Sequence, residues 1–219
     1  MIRLAVPKLG WRLCLQALAV VVVLGGCSSG DLGHQLPTIP VDKALAPADF
    51  TKEHWPSEKW SVYSTVAVPL SRGEHKRRTW ISGDDQSGLE QAIQRLANLG
   101  DAHSVYRRED PKSYDEDYPL RIDASDQYRS GSANESHLYC LGTRGSEAAC
   151  SVWAYWARYG QYILRLDYVA GLEPSTADTF VLEAGIGLDK FLEYVQAFDH
   201  QVSSVLQAAN VSPSLPTPS

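Results

Sequence analysis

The run AACSVWAYWARYGQYILRLDYV, residues 148–169, decides the fold. It reads as two strands, 148–158 and 161–169, joined at Tyr159-Gly160, because β-branched and aromatic residues crowd both arms and a glycine sits between them. In the first arm Trp153, Tyr155 and Ala157 share one face while Val152, Ala154 and Trp156 share the other. Neither face is polar, so this strand is expected inside a sheet and covered on both sides. Residues 136–141 supply a third strand, and the three form an antiparallel meander.

Upstream, 60–70 alternates with Val62, Ser64, Val66 and Val68 on one side and ends near Pro69, a strand followed by a turn at 71–76 and a return strand at 77–82. Ser87 and Glu90 have capping-box spacing, and Leu89, Ile93 and Leu96 follow at i, i+4 and i+7 before Gly100, which predicts an early amphipathic helix. Residues 103–108 read as another short strand, and 109–135 lose periodicity and read as a long loop. Downstream, Ser175 has N-capping character, Gly185 and Gly187 mark a break, and from Leu188 the apolar positions Phe191, Val195, Phe198, Val202 and Val205 trace a helix seam of about five turns. The expectation is one α+β domain over 48–210: an antiparallel sheet of about five to six strands, packed with an early amphipathic helix and a long C-terminal helix.

The N-terminus carries a different signal. Arg3, Lys8 and Arg12 precede an almost wholly apolar run from Leu13 to Leu24, and Gly25-Gly26-Cys27 follows, the layout of a signal peptide. The alternative, an uncleaved anchor, needs about 20 apolar residues, and this run falls short. Leu24-Gly25-Gly26-Cys27 resembles the lipobox of bacterial lipoproteins. The resemblance implies cleavage after Gly26, diacylglyceryl transfer to the Cys27 thiol, and a domain held outside the cytoplasm at the cell membrane or the outer membrane. Residues 1–26 are then signal peptide, and 27–47, with Pro37, Pro40 and Pro47, a lipidated cysteine and flexible tether. Residues 211–219 form a disordered tail. Beyond the lipobox the chain resembles small envelope lipoproteins of actinomycetes, without a motif that carries residues over.

In that compartment disulfides persist. Cys14 leaves with the signal peptide and Cys27 takes lipid, so Cys140 and Cys150 are expected to pair, with Gly142 and Gly145 turning the chain between them. A redox or metal pair is the alternative, but the spacing is too long for C-x-x-C and no partner ligands lie nearby. Losing the three cations of the signal peptide takes the formal charge from −6 to −9, an acidic balance that argues against nucleic acid.

No motif specifies a reaction. Gly26 to Gly30 matches G-x-S-x-G but lacks the strand and helix that an elbow needs, and Gly185-Ile-Gly187 is half of a dinucleotide fingerprint. The six histidines show no zinc spacing, so neither a metal nor a cofactor is expected. Arg72, His75, Lys76, Arg77 and Arg78 form one basic cluster at a predicted turn, suited to anionic headgroups or envelope polymer, or simply a solvated turn. Glu109, Asp110, Asp115, Glu116, Asp117, Asp123 and Asp126 gather oxygens in the long loop, where calcium or a pair of hydrolytic carboxylates is conceivable. Trp153, Tyr155, Trp156 and Tyr159 are core aromatics or, if an open groove exposes them, a surface for an envelope glycan, lipid or protein ligand. The expected function is a lipid-anchored binding or sensing module with no catalytic residue; the alternative is an envelope hydrolase using the 109–126 carboxylates.

Overall fold

The computed structural model describes residues 37–70, 73–83, 87–111, 120–146, 149–174, 180–182 and 185–211. Two short helices, α1 (Val41–Ala44) and α2 (Phe50–His54), lead into β1 (Ser61–Leu70), β2 (Gly73–Ile81) and β3 (Gly88–Leu96). Helix α3 (Leu99–Arg108) connects to β4 (Leu120–Asp123), after which β5 (Glu135–Ser146), β6 (Ala149–Tyr159) and β7 (Tyr162–Val169) follow. A ribbon of β8 (Leu172–Pro174) and β9 (Phe180–Leu182) precedes the long helix α4 (Leu188–Ala208).

The seven main strands form one antiparallel sheet in the order β1-β2-β3-β7-β6-β5-β4. It is two meanders, one from each half of the chain, joined where β7 pairs with β3 from Gly88↔Val169 to Arg95↔Tyr162. The α+β class stands, with seven strands in the sheet rather than five to six. Strand β6 lies between β5 and β7 and is buried on both faces, as its unbroken apolar run requires.

The inner face is covered by α4. Phe191, Val195, Phe198 and Val202 lie on its buried side as the seam predicts, but the last position is Leu206, with Val205 only half-buried. They meet Trp153, Tyr155 and Tyr159 of β6, Leu164 and Leu166 of β7, and Trp80 of β2. Trp153 stacks on Phe191 at 5.7 Å between ring centroids, and Phe198 meets Phe50 of α2 at 4.6 Å. On the outer face α3 covers a smaller cluster of Leu96, Ala102, Val105, Tyr106, Trp156 and Ile163. Each large apolar side chain so buried contributes about 1.5–3 kcal/mol.

Three expectations need correction. Leu89 and Ile93 sit on a strand, β3, because a spacing of four satisfies a period of two as well as one of 3.6; Leu96 then falls on the opposite face from both. Ser87 does not cap a helix but shares a 3.0 Å hydrogen bond with the Tyr168 hydroxyl. The helix begins ten residues later, over the segment read as a strand at 103–108, with the Asn98 side chain accepting from the Asp101 N–H at 2.8 Å. Gly100 lies in its first turn rather than closing the preceding element.

The second correction is the tether. Val41, Ala44, Leu45 and Ala46 are buried, Ala46 N–H donates to Gln91 Oε1 at 2.8 Å, and Arg78 donates to the Ala46 carbonyl, so the packed domain begins well before residue 48. At the other end Val211 is buried and its N–H donates to the Leu206 carbonyl at 2.9 Å. Residues 1–36, including Cys27, and 212–219 lie outside the described residues. The third is the 109–135 loop, which contains β4 at the edge of the sheet.

Cys140 and Cys150 form a disulfide with Cα atoms 6.0 Å apart, stapling β5 to β6. Cys150 also forms an antiparallel bridge to Ile186, two hydrogen bonds at 2.9 and 3.2 Å, and so ties the α4 approach to the sheet. Gly185 makes that bridge possible: its φ is +81° and a Cβ there would lie 1.9 Å from the Cys150 carbonyl oxygen. The Gly185-Ile-Gly187 pair is therefore a docking point, with Gly187 as the α4 N-cap. Gly185→Ala should lower stability by about 2 kcal/mol or more in urea unfolding, beyond the value of an ordinary glycine substitution. Cys140→Ser with Cys150→Ser should lower it by about 3 kcal/mol through the lost loop closure.

Candidate functional site

Two polar constellations stand out from the apolar packing. The first lies under α4. Asp199 is 5% exposed, one position after Phe198 on the helix, and its carboxylate is enclosed by hydroxyl donors from two other segments, β6 and the loop after β4. Tyr155 donates to Oδ1 at 2.8 Å and Tyr159 donates to the same oxygen; Ser130 and Tyr128 donate to Oδ2 at 2.8 and 3.1 Å. Tyr155 and Tyr159 reach it together because they are four apart on one face of β6, at the level of the Asp199 turn. Ser130 in turn accepts from the N–H groups of Ser132 and Ala133 at 3.2 and 3.1 Å, which shapes the loop after β4.

The chemistry of this cluster is settled by burial. Burial raises the Tyr155, Tyr159 and Tyr128 hydroxyls above the ordinary phenol range, and the negative charge of Asp199 adds to it. They stay protonated and act as donors to a carboxylate that is almost closed off from solvent. The arrangement is a clamp between helix, sheet and loop.

The second constellation is a row of charge on the outer face of the sheet, beside the patch that α3 covers. Glu90 of β3 stands directly opposite Asp167 of β7 in the strand register. Two carboxylates in that relation repel, and each is held by its own neighbours. Thr79 donates to Glu90 Oε2 at 2.9 Å with Arg77 3.9 Å from Oε1, and Arg165 Nε lies 2.5 Å from Asp167 Oδ2. Burial raises both acids, with the charge of Asp167 adding to the effect on Glu90 and that of Arg165 opposing it on Asp167. Burial, reinforced by Arg77 and Arg165, lowers the His75 imidazole at the end of the row to about 4. The basic cluster thus lies along β2 and not at a turn, and it is divided between the two faces: His75 and Arg77 belong to the outer row, whereas Lys76 pairs with Asp42 and Arg78 donates to the Ala46 carbonyl and to Thr65 Oγ1, while Arg72 lies outside the described residues.

The remaining candidates are placed as follows. Trp153, Tyr155, Trp156 and Tyr159 are all at most 3% exposed and belong to the closed core, so they line no open groove. Of the acidic loop, Asp110 is buried and accepts from the Tyr139 hydroxyl at 3.3 Å, and Asp123 accepts from Ser125 N–H and Oγ at 3.0 and 2.5 Å. Asp115, Glu116 and Asp117 lie outside the described residues. Among the described residues no three His, Cys, Asp or Glu side chains converge as a metal cage. A shallow depression of about 430 Å³ lies between α2 and α4, lined by His54, Trp55, Glu193, Gln196, Ala197 and His200.

Neither polar constellation emerges from a reading of motifs. Asp199 carries a usable signal, since it lies four residues after Val195 and three before Val202, on the apolar face of the helix. Glu90 and Asp167 are 77 positions apart in the chain and meet only through the β3–β7 pairing. No protein-family model, curated protein or solved structure matches the chain.

Asp199→Ala should destabilise the fold by about 3–5 kcal/mol, because three phenols and a serine lose their acceptor, whereas Asp199→Asn, which keeps one, should lose less; chemical denaturation measures both. The neutral His75 imidazole is favoured in the fold, so between pH 6.5 and about 4 the unfolded chain holds the extra proton. Stability that His75 allows above pH 6.5 is therefore lost as pH falls through that window. Urea midpoints for His75→Gln should fall less than those of the parent chain over the same range.

Proposed function

We propose that the chain is a lipid-anchored cell-envelope protein whose domain binds or senses an envelope glycan, lipid or protein ligand. The observation that carries the reading is Leu24-Gly25-Gly26-Cys27 behind a basic segment and a short apolar run. A thiol at that position is the nucleophile that lipid transfer requires. Two or three acyl chains hold a protein stably, at about 0.8 kcal/mol per buried methylene, where one alone is marginal. The Cys140–Cys150 disulfide supports the same compartment, since such bonds persist outside the cytoplasm. The host envelope then decides between the cell membrane and the outer membrane.

Binding is favoured over catalysis by how the acids are used. Asp199, Asp110 and Asp123 each accept hydrogen bonds from neighbouring side chains that hold the fold together. With the aromatic strand closed, the mixed-charge row is the ligand-facing surface in this reading: Arg77, Glu90 and Arg165 are half-buried on their strands and offer both donors and acceptors, with Asp167 buried beside Arg165.

Fractionation of native cells with intact-mass analysis tests the anchor. The wild type is expected in the membrane fraction with a lipid increment on Cys27 and a start at that residue. Cys27→Ala is expected to lack the increment. An unmodified, soluble wild type overturns the proposal.

A further inference from the structure

The two edges of the sheet are built differently. Strand β4 forms one edge with four residues, two of them charged, Arg121 and Asp123. Strand β1 forms the other with ten residues, Ser-Val-Tyr-Ser-Thr-Val-Ala-Val-Pro-Leu, and carries no charge. Among the described residues β1 pairs only with β2. Its side chains are exposed along most of its length, including Val62, Tyr63 and Val66. Edge strands are ordinarily kept short, charged or interrupted, because their outer N–H and C=O groups are a template for another strand.

Two interruptions exist, and their positions are informative. The β1–β2 register shifts between Val62 and Ser64, a bulge at Tyr63, and Pro69 has no N–H to donate. They lie symmetrically about Val66. If β1 pairs antiparallel with a second β1 across a twofold axis at Val66, Tyr63 of each copy falls opposite Pro69 of the other. The two defects then coincide at each end and leave an unbroken ladder from Ser64 to Val68. In that register Val66 faces its own copy, Ser64 faces Val68, and Thr65 faces Ala67, all on matching faces because opposed residues in an antiparallel pair point the same way. No charge opposes a like charge across the seam. Of the cations of β2 behind it, Lys76 pairs with Asp42 and Arg77 with Glu90 within each copy, and Arg78 is tied to the Ala46 carbonyl and Thr65 Oγ1.

We propose that β1 is the contact by which two copies of this chain associate, extending the sheet across a twofold axis at Val66. A single strand edge buries less than the roughly 1,000 Å² that a stable specific interface ordinarily clears, so the dimer is reversible and rises with concentration.

Cysteine scanning of the full chain, purified in mild detergent and mildly oxidised, tests the register. Opposed Cα atoms in an antiparallel pair lie about 4.5–5.5 Å apart, within disulfide range. Val66→Cys is therefore expected to give a covalent dimer absent from the parent chain. Val68→Cys is not, since its two copies lie roughly 14 Å apart along the seam, while Ser64→Cys with Val68→Cys in one chain restores the cross-link. Sedimentation should show a monomer–dimer equilibrium for the parent and a monomer for Val66→Lys, with near-ultraviolet circular dichroism unchanged. Cross-linking of Val68→Cys as efficient as that of Val66→Cys, a dimer that survives Val66→Lys, or a parent chain monomeric at every concentration and uncross-linked as Val66→Cys overturns the proposal. So does a parent monomer that instead takes up an added foreign strand.

Discussion

A carboxylate in the buried face of a helix must be satisfied from across the core, and Asp199 is met there by four hydroxyls. Apolar packing alone tolerates a good deal of sliding between a helix and a sheet. The Asp199 cluster does not. A one-residue slip of β6 would move Tyr155 and Tyr159 to the outer face, and rotating α4 by one residue would aim the carboxylate into the Phe191 and Phe198 packing. The helix, the central strand and the loop at 128–130 therefore lock in one relative arrangement. Gln207 adds a second tie to the same loop by donating to Ser132 Oγ at 3.0 Å.

The rest of the fold is built around that arrangement by covalent and backbone constraints. The disulfide holds β5 against β6, and Cys150 also pairs through its backbone with Ile186, just before α4 begins. One short stretch of β6 thus fixes the neighbouring strand and the entry point of the helix whose Asp199 is clamped further along the same strand. The N-terminal segment finishes the inner face: Phe50 and Trp55 pack against Phe198, and the buried 41–46 segment is hydrogen-bonded to Gln91 and Arg78 across β3 and β2.

The legible parts of this structure in the sequence are those where one period dominates. The 148–169 hairpin alternates on both faces over enough residues to exclude a helix, and the α4 seam runs for five turns at steps of three and four, which no strand reproduces. At 87–96 the signal is degenerate. Leu89 and Ile93 fit either period, and the buried residue between them is Gln91, whose polarity hides the alternation until its partner, the Ala46 N–H, is known. Helix α3 was obscured for a related reason: its start is marked by Asn98 and not by the Ser87 spacing that resembles a capping box. The candidate site was less legible still. Asp199 was detectable from helical spacing, but Glu90 and Asp167 become neighbours only after two meanders of the sheet have joined.

Closure of the inner face also bears on where a ligand would be met in the proposed binding role. Every hydroxyl around Asp199 points inward, and Trp153, Tyr155 and Tyr159 lie beneath α4, so opening that face to a ligand means breaking the clamp together with most of the core. The outer face is only partly closed: Tyr139, Leu141, Val152 and Ala154 form a buried cluster on β5 and β6, and α3 covers the patch around Trp156 and Ile163. The charged row beside it is held by contacts within and between strands, so its geometry does not depend on a mobile loop. A sheet fixed on one side by a buried network and left polar along β2, β3 and β7 on the other separates the part that specifies the fold from the surface that the proposed binding role would use.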